Sequence, residues 1–140
     1  MLAREELTDQ ERIIMARADA ALQQGGSFIS AFWGVECRAS DNGAVSTTAN
    51  GAHVANRVGH LQGGVQLGIA GLTAAAALGA DDWLMTSIDA SYLRPGEGAQ
   101  FRGSAEVLHR GRSTAVVMTK LTDEQDRVIM TAASTHAKRE

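Results

Sequence analysis

The chain has 140 residues and a single cysteine, Cys37. An internal disulfide and a cysteine-rich metal site are both excluded, and a reducing cytoplasm is the compartment that fits best. Its four histidines lack any metal-ligand spacing of the His-Glu-x-x-His kind, so no metal is expected. Positive charge is scarce as well. Lys and Arg number 13 against 16 Asp and Glu, giving a net charge of −3, which argues against a nucleic-acid partner held by general phosphate neutralisation. A local basic patch could still hold one anionic ligand. There is no internal repeat, and the only biased run is Ala74 to Ala77. The opening residues, MLAREELTDQERIIMARADA, mix acidic and basic side chains without an apolar run and do not read as a secretory signal. Hydrophobic residues make up 44% and charged residues 21%, the composition of an ordinary folded domain, and the length suits one domain.

The most informative absence is internal. Between Arg57 and Asp81 no residue carries a fixed charge, and residues 56–79 read NRVGHLQGGVQLGIAGLTAAAALG. By length this stretch could span a bilayer. Gln62, Gln66 and Thr73, the glycines, and the lack of flanking basic clusters favour instead a helix buried in a soluble protein, with no membrane partner. Gly64, Gly68, Gly71 and Ala75 share one helical face, and each mid-helix glycine costs about 0.5–1 kcal/mol relative to alanine. That face is expected to admit the close approach of another backbone. Asn56, His60 and Gln62 sit at the helix entrance, where the first N–H groups are unpaired and the macrodipole is positive, a place for a carbonyl oxygen or an anion.

The rest of the chain can be taken in order. Thr8 followed by Glu11 is a capping box, and Leu7, Ile14, Ala18, Ala21 and Leu22 recur at helical spacing until Gly25-Gly26. This predicts an amphipathic helix on the edge of the domain. Phe28 to Ser40, rich in aromatic and β-branched residues, reads as a strand, and Asp41-Asn42-Gly43 turns it into a second strand over Ala44 to Ala49. A loop from Gly51 to Val58 carries His53 and Asn56 towards the central helix. Four strands follow: Trp83 to Arg94, closed by Pro95-Gly96, then about Gln100 to Arg110, Ser113 to Thr122 and Arg127 to His136. Short connections suit an antiparallel sheet, and no helices separate the last strands as a parallel sheet would need. The fold class is therefore α+β, an antiparallel sheet wrapped around a long central apolar helix. Residues 1–27 form a helix and lead-in, and residues 28–140 form the main domain.

The pattern Asn56, Gly59 and Gln62-Gly63-Gly64, followed by Tyr92-Leu93-Arg94-Pro95 and then Gly111-Arg112-Ser113, resembles the hotdog-fold acyl-CoA thioesterases, especially their phenylacetate-pathway and 4-hydroxybenzoyl-CoA thioesterase branch. The resemblance covers residues 28–136. It implies a hotdog fold, hydrolysis of an acyl- or aryl-CoA thioester, coenzyme A as part of the substrate with no separate cofactor, and a homodimer or homotetramer whose sites are built from two subunits. Two positions depart from the family pattern. Gln62 stands where the family has histidine, and Gly71 stands where it has the Asp or Glu that serves as base or nucleophile.

On this reading the catalytic set is Asn56, Gln62, Gly63, Gly64 and Thr73. The backbone N–H groups of Gly63 and Gly64 suit a developing oxyanion, the amides of Asn56 and Gln62 could orient water or the thioester, and Thr73 could hold a water. The alternative for Asn56 and Gln62 is that they cap the helix and satisfy loop carbonyls. For Thr73 it is a hydroxyl bonded back to the preceding turn. Gln66, Leu67, Gly71, Met85 and Thr86 are assigned to substrate binding, with Leu67 and Met85 edging the acyl pocket. Arg94, Arg110 and Arg112, at strand ends, are assigned to the coenzyme A phosphates. His53 and His60 are candidate bases, Cys37 reads as a small core residue, and Glu36, Asp81, Asp82, Asp89 and Glu97 read as surface carboxylates. A non-catalytic acyl-CoA binding module is the main alternative function. A hotdog dehydratase or hydratase is a third, weakened by Gln62 and the uncharged helix.

Overall fold

A computed structural model describes residues 6–79 and 81–140; the first five residues of the opening stretch lie outside that range. Helix α1 (Asp9–Gln24) begins on the predicted capping box. Thr8 Oγ1 accepts from Glu11 N–H at 3.2 Å, and the Glu11 carboxylate accepts from Thr8 N–H at 2.7 Å. Gly25, at φ 77°, ends it. Ile14 and Ala18 are partly buried and Ala21 fully, but Leu22 is 68% exposed and does not join the packed face.

Residues 28–40 depart from the expected strand. Phe28–Trp33 form a short helix, α2, and only Glu36–Ser40 form strand β1. Ser27 caps α2 by accepting from Ser30 N–H, and Gly34 ends it in the left-handed region at φ 73°. Phe28 and Phe32, one turn apart, stack at 5.6 Å. The bracketing serine and glycine override the strand preference of the six residues between them.

Strand β2 (Gly43–Ala49) pairs with β1 across the expected turn, with Ser40 opposite Gly43. Gly43 is required there, because a side chain would collide with the Ala105 carbonyl. Helix α3 (Gly63–Leu78) is the uncharged stretch, and it starts only after Gln62; residues 57–60 turn, and Leu61 bridges back to Ala55. Strands β3 (Trp83–Tyr92), β4 (Gln100–Arg110), β5 (Thr114–Thr122) and β6 (Val128–Lys138) then complete one antiparallel sheet of order β1-β2-β4-β5-β6-β3. Both ends of this order, β1 and β3, are open edges.

Helix α3 touches all six strands. Its inward face carries Val65, Ile69, Ala70, Ala74 and Leu78, which pack on Phe101, Leu121, Ile129, Met130 and Ala132 towards one end and on Ala105, Ala115, Val117 and Trp83 towards the other. A polar pair on the inward face of α3 interrupts this core. The Thr73 hydroxyl donates to Ile69 O at 2.7 Å and lies 2.8 Å from Ser46 Oγ, and Gly103 leaves room for it, since a Cβ there would strike Ser46. Among the described residues no helix is long and apolar enough to cross a membrane.

The small-residue face of α3 points away from the sheet. Within the chain it meets side chains, contrary to the expected close backbone. The Trp33 ring covers Gly68, Met85 Cε lies 3.2 Å from where a Cβ at Gly71 would be, and Gln62 Oε1 lies 3.0 Å from one at Gly64.

Candidate active site at the start of the central helix

The approach to α3 is a tied loop. Asn50 Nδ2 donates to Gly59 O at 3.0 Å and Gly98 O at 2.9 Å. Asn56 Oδ1 accepts from the N–H groups of Val58 (3.1 Å) and His60 (3.0 Å), while Asn56 N–H donates to His60 O. Gly59 turns at φ 83°, a conformation that favours glycine. Leu61 N–H then donates to Gly96 O, Gln62 N–H donates to Val54 O, and Gln66 Nε2 reaches back to Leu61 O at 3.0 Å. Leu61-Gln62, which lead into α3, are thus held by three hydrogen bonds. An open cavity of about 710 Å³ lies beside this loop, lined by Asn50, Asn56, Arg57, Gly59 and Gly98 among others, but no residue of α3 reaches it.

Gln62 is the N-cap, and its Oε1 accepts from Val65 N–H at 2.9 Å. Gln66 N–H is satisfied by Gln62 O. The N–H groups of Gly63 and Gly64 have no partner among the described residues. They are two adjacent donors, on residues without side chains, at the positive end of a 16-residue helix. The side-chain oxygens of Asn56 and Gln62 are both engaged in holding backbone, as the capping alternative has it. Their amide nitrogens have no partner among the described hydrogen bonds. The cluster is therefore rich in donors, the chemistry that receives a carbonyl oxygen as it becomes negative.

Other assigned residues fall elsewhere. Thr73 is fully buried on the sheet side of α3, with its hydroxyl engaged. Gln66 is 4% exposed, and its Oε1 lacks a partner among the described residues. Leu67 is half-buried, and Met85 stands over Gly71 from edge strand β3. Thr86 Oγ1 donates to Thr135 O, at the bulge in the β3–β6 pairing. Arg94 follows β3 close to the start of α3. Arg110 and Arg112 lie at the far end, about 24 Å away by the length of the helix. Arg110 donates to Leu78 O (3.4 Å) and Ala77 O (3.3 Å) and lies 6.0 Å from the Trp83 ring centroid, so it caps the negative end of α3.

The two loop histidines differ. His60 Nε2 faces Glu97 Oε1 at 3.5 Å. His53 stands edge-on to Phe32 with its Nε2 buried and unpartnered among the described residues. Burial, and then the Arg17 charge, push its pKa down. Cys37 is exposed on β1, which corrects its assignment to the core. Its thiol is partly covered nonetheless, and that desolvation raises its pKa. No group of His, Cys, Asp and Glu among the described residues could hold a metal ion. Two contributors escaped the sequence reading. Trp33 was concealed in the misread strand, which Ser27 and Gly34 could have flagged as a helix. Tyr92 was visible only as part of a motif, yet its hydroxyl donates to Gly63 O at 2.7 Å.

A family profile described as acyl-CoA thioesterase N-terminal domain matches residues 52–137, the span from the tied loop to the last strand. The chain belongs to this acyl-CoA thioesterase family. Solved structures agree on the hotdog fold. The Bacillus halodurans protein BH2602, solved with CoA, has a TM-score of 0.82 at 16% identity, over 96% of this chain and 97% of that one. The Escherichia coli PaaI protein of the phenylacetic acid degradation operon has a TM-score of 0.75 at 19% identity, over 94% and 97%. A mutant of a Staphylococcus aureus thioesterase has a TM-score of 0.74 at 19% identity, over 81% and 100%. No curated protein matches the chain.

Proposed function

We propose that this acyl-CoA thioesterase family member hydrolyses an acyl- or aryl-CoA thioester to the free acid and coenzyme A, as a cytoplasmic homodimer or homotetramer. The observation that carries the reading is the pair of unpartnered N–H groups on Gly63 and Gly64 at the start of α3. The thioester carbonyl oxygen rests there, water adds to the carbonyl carbon, and the C–S bond breaks as the proton taken from water passes to the departing thiolate. One such oxyanion donor is worth about 3 kcal/mol in the transition state. The amide nitrogens of Asn56 and Gln62 orient the thioester or the water.

The proton acceptor is the open part of the site, because Gly71 has no side chain. A group at position 71 also lies seven residues from Gly64, about 10 Å along the helix axis, too far to serve a carbonyl held at its own chain's Gly64. Assembly addresses this. Edge strand β3 is ten residues long and unpaired on its outer side, and Leu84, Met85, Tyr92 and Leu93 on or beside it are 38–57% exposed. Pairing with a second copy would cover this edge and bring a partner helix alongside Gly63 and Gly64. Arg94 and Arg112 are then the phosphate-binding arginines, with Arg110 held to its helix.

Release of free thiol from a panel of aromatic and medium-chain acyl-CoAs tests the reading, with light scattering on the same samples. Turnover by an assembled species is expected. Hydrolysis by a monomer would overturn the two-subunit site. The absence of turnover, with coenzyme A still bound, would establish the second reading, an acyl-CoA binding module. Gly71 and the Met85 methyl standing over it are the observations that favour that alternative.

A further inference from the structure

We propose that Tyr92 is a positioning residue for the oxyanion donor. Its hydroxyl fixes and polarises the peptide group whose N–H is that of Gly64. The inference rests on the thioesterase reading above for its effect on rate, though not for its structural content. Gly63 C=O and Gly64 N–H are the two ends of one planar amide. The Tyr92 hydroxyl donates to the oxygen end at 2.7 Å, and hydrogen bonding at an amide oxygen makes its N–H a better donor. The bond is made by a rigid element. Tyr92 is the last residue of β3, opposite Met130 of β6, and the next residue, Leu93, donates from its N–H to Ile129 O at 2.8 Å.

The need for such a clamp follows from the sequence. Gly63-Gly64 is the most permissive dipeptide a helix could start with, and neither residue has a side chain to hold its peptide in place. The flanking groups are secured by glutamines, Gln62 Oε1 on Val65 N–H and Gln66 Nε2 on Leu61 O. Among the described residues, Tyr92 alone reaches the peptide between them from outside the helix. Its ring atoms Cε1, Cζ and Oη lie 3.6–3.7 Å from where a Cβ at Gly63 would be, so the ring also shields one side of that peptide from water.

Tyr92 is the only tyrosine in the chain, which gives a graded test on the full-length protein. Tyr92→Phe keeps the ring and removes the donor, whereas biosynthetic replacement by 3-fluorotyrosine alters this one phenol and makes it a stronger donor. In Tyr92→Phe the Gly63 carbonyl carbon and Gly64 amide proton resonances should move upfield, and in the fluorotyrosine protein they should move downfield. The Val65 amide should stay in place in both. With benzoyl-CoA and hexanoyl-CoA, Tyr92→Phe should lower kcat about 3- to 10-fold with KM within twofold, the split expected of an interaction made mainly in the transition state. Resonances that do not move, or that move in the same direction in both proteins, overturn the inference whatever the activity. An active wild type with an equally active Tyr92→Phe overturns its catalytic part. An inert wild type would sink the thioesterase reading instead, and the resonances alone would then decide whether Tyr92 positions the peptide.

Discussion

Introducing an acidic side chain at Gly71 should be structurally cheap, while even a methyl group at Gly68 should not. A Cβ at 71 would come within 3.2 Å of Met85 Cε, the far end of a flexible side chain on a residue that is already 38% exposed, so the methionine can swing outward. Replacing a mid-helix glycine by aspartate gains about 0.3 kcal/mol in helix propensity, which offsets the small loss of methyl contact. Gly71→Asp should therefore stay within about 1 kcal/mol of wild type. At Gly68 the Cβ would meet the Trp33 ring, a broad rigid group carried by α2. Alanine there gains about 1 kcal/mol in propensity but forces α2 away, at an overpacking cost of about 1–3 kcal/mol. Denaturant midpoints at one fixed protein concentration measure both variants, and Gly68→Ala should be the less stable, by up to about 2 kcal/mol. A Gly71→Asp protein less stable than Gly68→Ala would refute the assignment of Trp33 and Met85 to these positions. Once stability is secured, its hydrolysis becomes interpretable. If the new carboxylate works only across subunits, any gain in turnover should vanish on dilution below the assembly threshold.

Three further outcomes follow from the same geometry. His136 is 1% exposed, beside Ser134 Oγ at 2.9 Å, and burial lowers its pKa; the unfolded chain then binds the proton more readily, so stability should be full above the ordinary histidine range and fall as pH drops through it. Measuring the urea midpoint at two pH values on either side of that range checks this, with His136→Asn expected to flatten the dependence and an unchanged slope counting against it. Arg110→Ala, by removing the bonds to Ala77 O and Leu78 O, should lower stability by about 1 kcal/mol, whereas Arg112→Ala should leave stability alone and weaken salt-dependent coenzyme A binding. Gln62→Ala should cost about 1 kcal/mol as a lost N-cap and reduce turnover more than binding; equal effects on both would make Gln62 a cap and nothing more.

Much of the fold was legible because its signals are local. The capping box at Thr8, the turn at Asp41-Asn42 and the charge-free run of α3 each specify structure within a few residues, and β4 was placed to the residue at Gln100–Arg110. Phe28–Trp33 was misread because a six-residue run, aromatic or aliphatic but for Ser30, satisfies a strand or a buried helix equally well. What decides between them is the cap at Ser27 and the packing of Trp33 on Gly68, a contact across thirty-five positions that no local window contains. The glycine face shows the same limit. Its spacing was clear, but whether it receives a backbone or the ends of large side chains depends on where α2 and β3 lie.

The candidate site divides along the same line. Gln62, Gly63 and Gly64 are neighbours in sequence and at a helix start, so their place there could be read directly. Thr73 lies only two residues beyond Gly71, yet those two residues turn it about 200° around the helix and into the sheet. Its partners, Ser46 and Ile69 O, explain why a hydroxyl is kept there without any substrate. Tyr92 carries the opposite lesson. It lies twenty-nine positions from Gly63, and only the turn of the chain through α3 and back along β3 sets its hydroxyl on the peptide that the donor pair depends on. The charged groups follow a further rule. The donors proposed at Gly63 and Gly64 and the arginine proposed at Arg94 lie at one end of α3, whereas position 71 stands about 10 Å along the axis, so no rotation of side chains within one chain would bring an acid at position 71 to a thioester held there. In the proposed assembly, a second helix brought alongside by pairing of the open β3 edges would supply what one chain cannot. On the proposed thioesterase reading, the acid that Gly71 lacks would come from a neighbouring subunit's surface carboxylate or from the His60–Glu97 pair beside the helix entrance, and a chain with neither would be the binding module.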